Sequence, residues 1–340
     1  MTKQAFPDRE AEDWLVYRGE GTPRDGLWNL PEPPPWRRFV QGRPASGLGP
    51  GALQRAASYR PDQNIVTMVN AALHLRRPLL VTGKPGTGKS TLALHVAHEL
   101  GLGPVLTWPI TSRATLEQGL YRYDAIGRLH ETSLRRAVEP ETTSNAPDIG
   151  RYIRLGPLGT ALLPRDRPRV LLIDELDKSD IDLPNDLLNV FEEGGFDIPE
   201  LERLPAEEEV VHVMPAKGNE RVAVTRGKVQ CTEFPLVVIT SNAEREFPPA
   251  FLRRCLRLVI EPPDSRRLAE IVEAHFGRAA KDASTDLIND FLRRREHGDL
   301  ATDQLLNAVY LCTSGSRPPE VTLQGMLESI LRPLGTTGPE

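Results

Sequence analysis

Gly83-Lys84-Pro85-Gly86-Thr87-Gly88-Lys89-Ser90 follows a short apolar run, Pro78-Leu-Leu-Val-Thr82, and opens a segment of helical character from Ser90 to Leu100 that ends at Gly101. The octet satisfies the spacing G-x-x-x-x-G-K-[ST] between a strand and a helix. Glycines let the backbone fold around a phosphate so that successive N–H groups point inward, and the helix adds its positive N-terminus. Gly83, Pro85, Gly86, Thr87, Gly88 and Thr91 then form the cradle. Lys89 supplies a point charge for the β- and γ-phosphates of ATP, and the Ser90 hydroxyl a ligand to Mg2+. A buried strand, a phosphate-binding turn and a helix in that order predict an α/β fold built on a parallel sheet.

Outward from this turn, two further apolar runs end in polar groups. In Arg169-Val-Leu-Leu-Ile-Asp174-Glu175-Leu-Asp177-Lys178 the strand closes on paired carboxylates. Asp174 at the strand end can hold magnesium through its water shell, while Glu175 points elsewhere and can polarise the water attacking a γ-phosphate. Asp177 and Lys178 read as local caps or ion-pair partners. Leu236-Val-Val-Ile-Thr240-Ser241-Asn242 places an uncharged amide, Asn242, beside both sites if the strands are neighbours; it can hold the attacking water or the γ-phosphate. Finally, Phe247-Pro-Pro-Ala-Phe-Leu-Arg253-Arg254-Cys255 precedes the strand-like Leu256–Ile260, and a guanidinium is well suited to charge spreading over a transferring phosphoryl.

The remaining chain falls into four kinds of sequence. Asn64–Leu75 has helical apolar spacing at Ile65, Met68, Val69 and Leu73, and Val105–Ile110 adds another buried run. Residues 262–335 show amphipathic segments, Arg266–Phe276, Thr285–Arg295 and Thr302–Cys312, and no strand pattern, which predicts a small all-α domain after the sheet. Two stretches between strands exceed ordinary crossovers, at about 115–166 and 194–232, and segments of that length usually carry function. The second contains Val210–Met214 and Arg221–Thr225, which read as a β-hairpin turning near Lys217-Gly218-Asn219. Residues 1–50 hold eight prolines and three of the chain's four tryptophans, Trp14, Trp28 and Trp36. Prolines exclude regular helix and sheet there, and the tryptophans predict an extended arm that packs on its own domain or on a neighbouring subunit. The resulting division is an arm at 1–54, an α/β nucleotide domain at 55–261 and a helical lid at 262–340.

Composition narrows the function class. The 340 residues are 39% hydrophobic and 26% charged, near the globular average, and the net charge of −5 gives no global field to attract a polyanion. Proline alone is off average, at 31 residues or about twice the usual frequency. Cys231, Cys255 and Cys312 show neither CxxC nor Cys/His spacing, and no signal-peptide or membrane-spanning pattern appears, so a reducing cytoplasm is expected. No HExxH or close His/Asp cluster predicts a zinc site.

Together these elements resemble the AAA+ ATPases, and within them the MoxR-like group, over about residues 55–335. The likeness makes 83–90 the Walker A motif, 170–175 Walker B and Asn242 sensor 1. It makes Pro249–Cys255 an arginine-finger segment in which Arg254 precedes the family's aromatic position, here Cys255, with Arg253 as the fallback. The two insertions resemble the group's helix-2 insert and the hairpin before sensor 1, and the wording around Gly156-Pro157-Leu158-Gly159 is similar as well. Arg317, before Pro318-Pro319, stands near the second-sensor position, though the family sets its arginine after the proline. Adenine is placed by the resemblance against Tyr59, Ile65 and Val66. A finger acting on a neighbour implies a homo-oligomeric ring, most simply a hexamer, that remodels another protein, often one bearing a von Willebrand A domain. Two rival readings stay open: a nucleic-acid-dependent motor or loader, with paired arginines at 135–136, 266–267 and 293–295 as its slight support, and a nucleotide-gated assembly switch or scaffold in a bacterial conflict or defence system. Membrane partners are not expected.

Overall fold

The computed structural model describes residues 50–138, 148–313 and 319–333. In chain order its elements begin with α1 (Pro50–Ser58), α2 (Gln63–Leu75), β1 (Leu79–Thr82), α3 (Lys89–Glu99), β2 (Leu106–Pro109), α4 (Leu116–Leu120), β3 (Tyr121–Tyr123), α5 (Ala125–Val138), β4 (Ile153–Leu155) and α6 (Pro157–Ala161). They continue with β5 (Val170–Asp174), α7 (Leu183–Glu193), β6 (Gly195–Asp197), α8 (Pro199–Glu202), β7 (Val210–Val213), β8 (Val222–Thr225), β9 (Lys228–Gln230) and β10 (Leu236–Ser241). The last are α9 (Pro249–Arg254), β11 (Leu256–Val259), α10 (Ser265–Phe276), α11 (Arg278–Ala283), α12 (Thr285–Arg295), α13 (Thr302–Thr313) and α14 (Glu320–Ile330).

Five strands form one parallel sheet in the order β11-β1-β10-β5-β2. Period-two alternation divides each apolar run between its faces. Leu80, Leu171, Ile173, Val237 and Ile239 join one core cluster, whereas Leu79, Val81, Leu172 and Val238 join the other. Continuous hydrophobic runs are therefore required here, because no face meets water. Helix α2 starts where the Asp62 carboxylate accepts the Ile65 N–H at 2.8 Å and ends at Arg76 in a left-handed conformation, φ 53°. The C-terminal helices have a third core of their own, with Leu268, Val272, Phe291, Leu305 and Val309 at its centre.

The expected hairpin is present as β7 and β8, paired antiparallel with Val211 opposite Val224. Further pairing was not anticipated: β9 and β6 extend it to four strands in the order β6-β9-β8-β7. The two insertions also meet. Leu155 N–H of β4 donates to Met214 O at 2.7 Å, and Arg221 pairs with Asp148 at 3.2 Å. Helix α5 turns Glu131 inward toward Arg135, Arg151 and Tyr152, while Ile126, Leu129 and Leu134 face outward, 82%, 70% and 55% exposed. Among the described residues no helix is long and apolar enough to cross a membrane. The sequence-predicted arm at 1–49 and Arg317 lie outside the described residues.

Candidate functional site

The strand order sets the site. Because β10 lies between β1 and β5 and all run parallel, the phosphate loop after β1, Asp174 at the end of β5 and Asn242 after β10 open on the same edge of the sheet. Gly83, Gly86 and Gly88 have φ of 152°, 75° and 87°, conformations that favour glycine. At Gly83 a Cβ would stand 2.4 Å from Ile260 O, and at Gly86 2.3 Å from the Ala301 Cβ, so the loop is wedged between β11 and the start of α13.

Lys89, only 7% exposed, donates from Nζ to Gly83 O at 2.6 Å, Lys84 O at 2.9 Å and Asn242 Oδ1 at 2.9 Å. Burial pulls its ammonium below the usual lysine value, and the carboxylates of Asp177, Glu175, Asp174 and Glu244 push back. The Ser90 hydroxyl donates to Asp174 Oδ1 at 2.6 Å. Hydroxyl and carboxylate together are the hard-oxygen donor set that suits magnesium.

Thr240, 1% exposed, links the two carboxylates of β5: its hydroxyl donates to Asp174 Oδ1 at 2.7 Å and accepts the Glu175 N–H at 2.8 Å. Glu175 sits at φ 61°, a left-handed conformation costing a non-glycine residue about 1–2 kcal/mol. Its carboxylate meets Lys178 Nζ at 2.8 Å, which raises the Lys178 pKa. Asp177 does more than cap locally. From the turn after β5 its Oδ2 accepts the N–H groups of Asn242 at 2.9 Å and Glu244 at 3.2 Å, fixing the chain where it leaves β10. Its Oδ1 is buried without a hydrogen-bond partner among the described residues.

The three residues assigned to adenine separate. Ile65, 1% exposed, packs in the core with Leu79, Val81 and Leu92, so that side chain is a structural one, drawn inward by the apolar periodicity of α2. Val66 is 39% exposed on the other side of the helix. Tyr59 stays beside the loop: a Cβ on Gly88 would lie 3.1 Å from its ring. The Tyr59 hydroxyl is buried without a hydrogen-bond partner among the described residues, and burial pushes its pKa up to about 12.

The paired arginines lie elsewhere. Arg253 and Arg254 precede β11, whose Leu256 pairs with Leu79, so they sit at the opposite end of β1 from the phosphate loop. Arg77 Nη1 donates to Arg253 O at 3.4 Å across that end. Arg254 is held by Glu192 of α7, while the Arg253 side chain is exposed. What the sequence did not disclose was Thr240, concealed as the last letter of an apolar run, and the contribution of the C-terminal helices. Lys84 Nζ pairs with Asp299 Oδ1 at 2.7 Å, and Ala301 closes on Gly86. A hydroxyl at a fully buried strand position, one residue before the polar end, was the available signal for Thr240.

A parallel sheet flanked by helices, with a phosphate loop at the strand-to-helix turn of β1 and carboxylates at the end of β5, defines a P-loop NTPase. A family model described as AAA domain (dynein-related subfamily) matches residues 78–255, and the chain belongs to that family. It is an AAA+ ATPase, a nucleotide-binding protein of the ATP-hydrolysing class. No curated protein matches the chain.

Proposed function

We propose that this chain is a MoxR-like AAA+ ATPase that assembles into a ring, most simply a hexamer, and uses ATP hydrolysis to remodel a partner protein. The observation that carries the hydrolytic part is the meeting of Lys89, Asn242, Ser90, Asp174 and Thr240 through hydrogen bonds of 2.6–2.9 Å at one edge of the sheet. In this reading the backbone from Gly83 to Thr91, Pro85 and Thr87 included, wraps the phosphates and Lys89 turns its ammonium from the loop carbonyls to the β- and γ-phosphate oxygens. Ser90 and Asp174 hold magnesium, which when bound neutralises charge on the phosphate oxygens. Glu175 takes a proton from the attacking water, and Asn242 orients that water and the γ-phosphate. Tyr59, its hydroxyl without a hydrogen-bond partner among the described residues, and Val66 contact the base. Arg317 remains the second-sensor candidate.

The position of Arg253 and Arg254 supports the ring. Their own phosphate loop lies beyond the length of β1, about 13 Å for four residues. We assign Arg254 as the finger for a neighbour's nucleotide; its exposed pair with Glu192 is screened by solvent and yields readily. The division into arm, nucleotide domain to about residue 261, and lid places Lys84–Asp299 and Gly86–Ala301 across the lid boundary, which supports coupling of lid position to the nucleotide. A protein partner, such as one with a von Willebrand A domain, is favoured over nucleic acid. Arg135, Arg266, Arg267, Arg293 and Arg294 each pair with a carboxylate, and α5 exposes the large aliphatic side chains of Ile126, Leu129 and Leu134.

Nucleotide binding and steady-state hydrolysis on two variants test the reading. Glu175→Gln should retain ATP while turnover falls about 10²–10⁴-fold. Lys89→Ala should lose nucleotide binding. Unchanged turnover in the first removes Glu175 as the base, and tight binding in the second undoes the phosphate cradle.

A further inference from the structure

The outer faces of α2 and α3 enclose an apolar groove that runs from Val66 away from the phosphate loop to the end of α3. Its floor is formed by the buried Val69 and Val96, its rim by Leu73, Val66 and Leu100, and Glu99 stands at one end. Single exposed aliphatics are ordinary on a protein surface. Here Val66, 39% exposed, and Leu100, 42% exposed, border one concave strip.

We propose that this groove is the seat of the chain's own N-terminal segment, with the Trp36 side chain in the groove and Arg37 and Arg38 facing Glu99. Where the described chain begins carries the assignment. Residues 1–49 join the structure at Pro50, the start of α1, and α1 is fastened to a groove residue: the His95 ring nitrogen Nδ1 donates to Ala56 O at 2.9 Å. The Tyr59 ring, just beyond α1, stands 5.4 Å from the same imidazole. The tether is therefore rooted on the groove wall. The fourteen residues from Trp36 to Pro50 extend up to about 46 Å, and α3 with its eleven residues is only about 16 Å long. Every point of the groove is within reach.

The chemistry of the segment matches. Pro31-Glu32-Pro33-Pro34-Pro35-Trp36-Arg37-Arg38 combines a proline run, which has little backbone freedom to lose on docking, with one large apolar ring. The Glu99 side chain is 67% exposed, with His95 Nε2 3.2 Å from its Oε2, so a carboxylate is open to guanidinium groups arriving from solvent. Trp14 and Trp28 have no adjacent arginine pair.

Limited trypsin digestion of the full chain tests this, because Arg38 precedes Phe39 and is cleavable, and Arg18, outside the docking segment, serves as the internal reference. Cleavage after Arg38 should be at least about tenfold slower than after Arg18, the protection expected of a docked segment whose opening limits access. Leu100→Asp should bring the two rates together, as should Trp36→Ala, with thermal unfolding and ATP binding unchanged. Since Leu100 is 42% exposed, the fold should survive its change, and the Trp36→Ala result is independent of it. Equal cleavage at both sites in the unaltered chain, or protection that persists in either variant, overturns the proposal. Protection that grows with protein concentration overturns the own-chain assignment and gives the groove to a neighbouring copy's segment; protection that appears only on adding another protein gives it to that partner.

Discussion

Thr240 divides one hydroxyl between two partners, donating to the Asp174 carboxylate and accepting the backbone N–H of Glu175. Asp174 is thereby aimed at Ser90, and Glu175 is kept in a left-handed conformation that an unsupported residue would leave. Valine has almost the same shape and no hydroxyl. Thr240→Val should lower kcat about ten- to a hundredfold through misplacement of the two carboxylates, with ATP affinity nearly kept because Lys89 and the loop are untouched. The orphaned Glu175 N–H should also cost about 1–3 kcal/mol in stability. Thr240→Ser should recover both. A Thr240→Val enzyme with normal kcat would show that Asp174 and Glu175 hold their positions without the hydroxyl. Asp177 is a comparable case: it faces the chain leaving β10 and controls Asn242 through its backbone rather than its amide.

At the scale of elements, one of the contacts between the C-terminal helices and the nucleotide domain titrates. His275 of α10 is hydrogen-bonded to Ser58 of α1 at 3.0 Å, and burial lowers its pKa below the ordinary 6.5. The unfolded chain then binds more protons than the folded one between the lowered value and about 6.5. This histidine's contribution to stability is full above pH 6.5 and is lost as pH falls through the folded value. Unfolding midpoints in denaturant, measured from pH 7.5 to 5, should fall with acid, and His275→Gln should flatten that slope; an unaltered slope would move the titration to another group. The same helices show where sequence reading reaches its limit. Leu236–Ile239 and Val170–Ile173 announced their strands, because a run apolar at every position fits only a sheet covered on both faces. The Val210–Thr225 hairpin was equally visible from its alternation. By contrast, nothing local in Arg154 or Met214 tells that two insertions some sixty residues apart pair with each other. Nor does Asp299 or Ala301 carry a mark of its place on the phosphate loop. Ile65 differs for another reason: the family resemblance sets it near adenine, whereas the apolar face of α2 carries it into the core beside Leu79 and Val81.

For the whole molecule, the decisive geometry is that the phosphate loop and the arginine pair occupy opposite ends of β1. A guanidinium there cannot close on its own chain's γ-phosphate; in the proposed ring each subunit holds Lys89 and Glu175 for its own nucleotide and Arg254 for the next. That head-to-tail relation is the heterologous contact from which closed rings are built. Two variants that are each inactive should then restore one another. A homo-oligomer of Arg254→Ala has every base and no finger, and one of Glu175→Gln has every finger and no base. In an equal mixture, a site works when an Arg254→Ala subunit receives the finger of a Glu175→Gln neighbour, which random assembly gives for about a quarter of sites. Hydrolysis by the mixture should rise to about that fraction of the unaltered rate while both parents stay silent. A finger acting within its own chain predicts no recovery at any ratio. If Arg254→Ala alone keeps full assembly-dependent activity, the exposed Arg253 takes the role, and the same mixture made with Arg253→Ala should recover instead. Dilution adds a further check: complementation in trans must vanish once subunits separate, at concentrations where nucleotide binding through Lys89 persists.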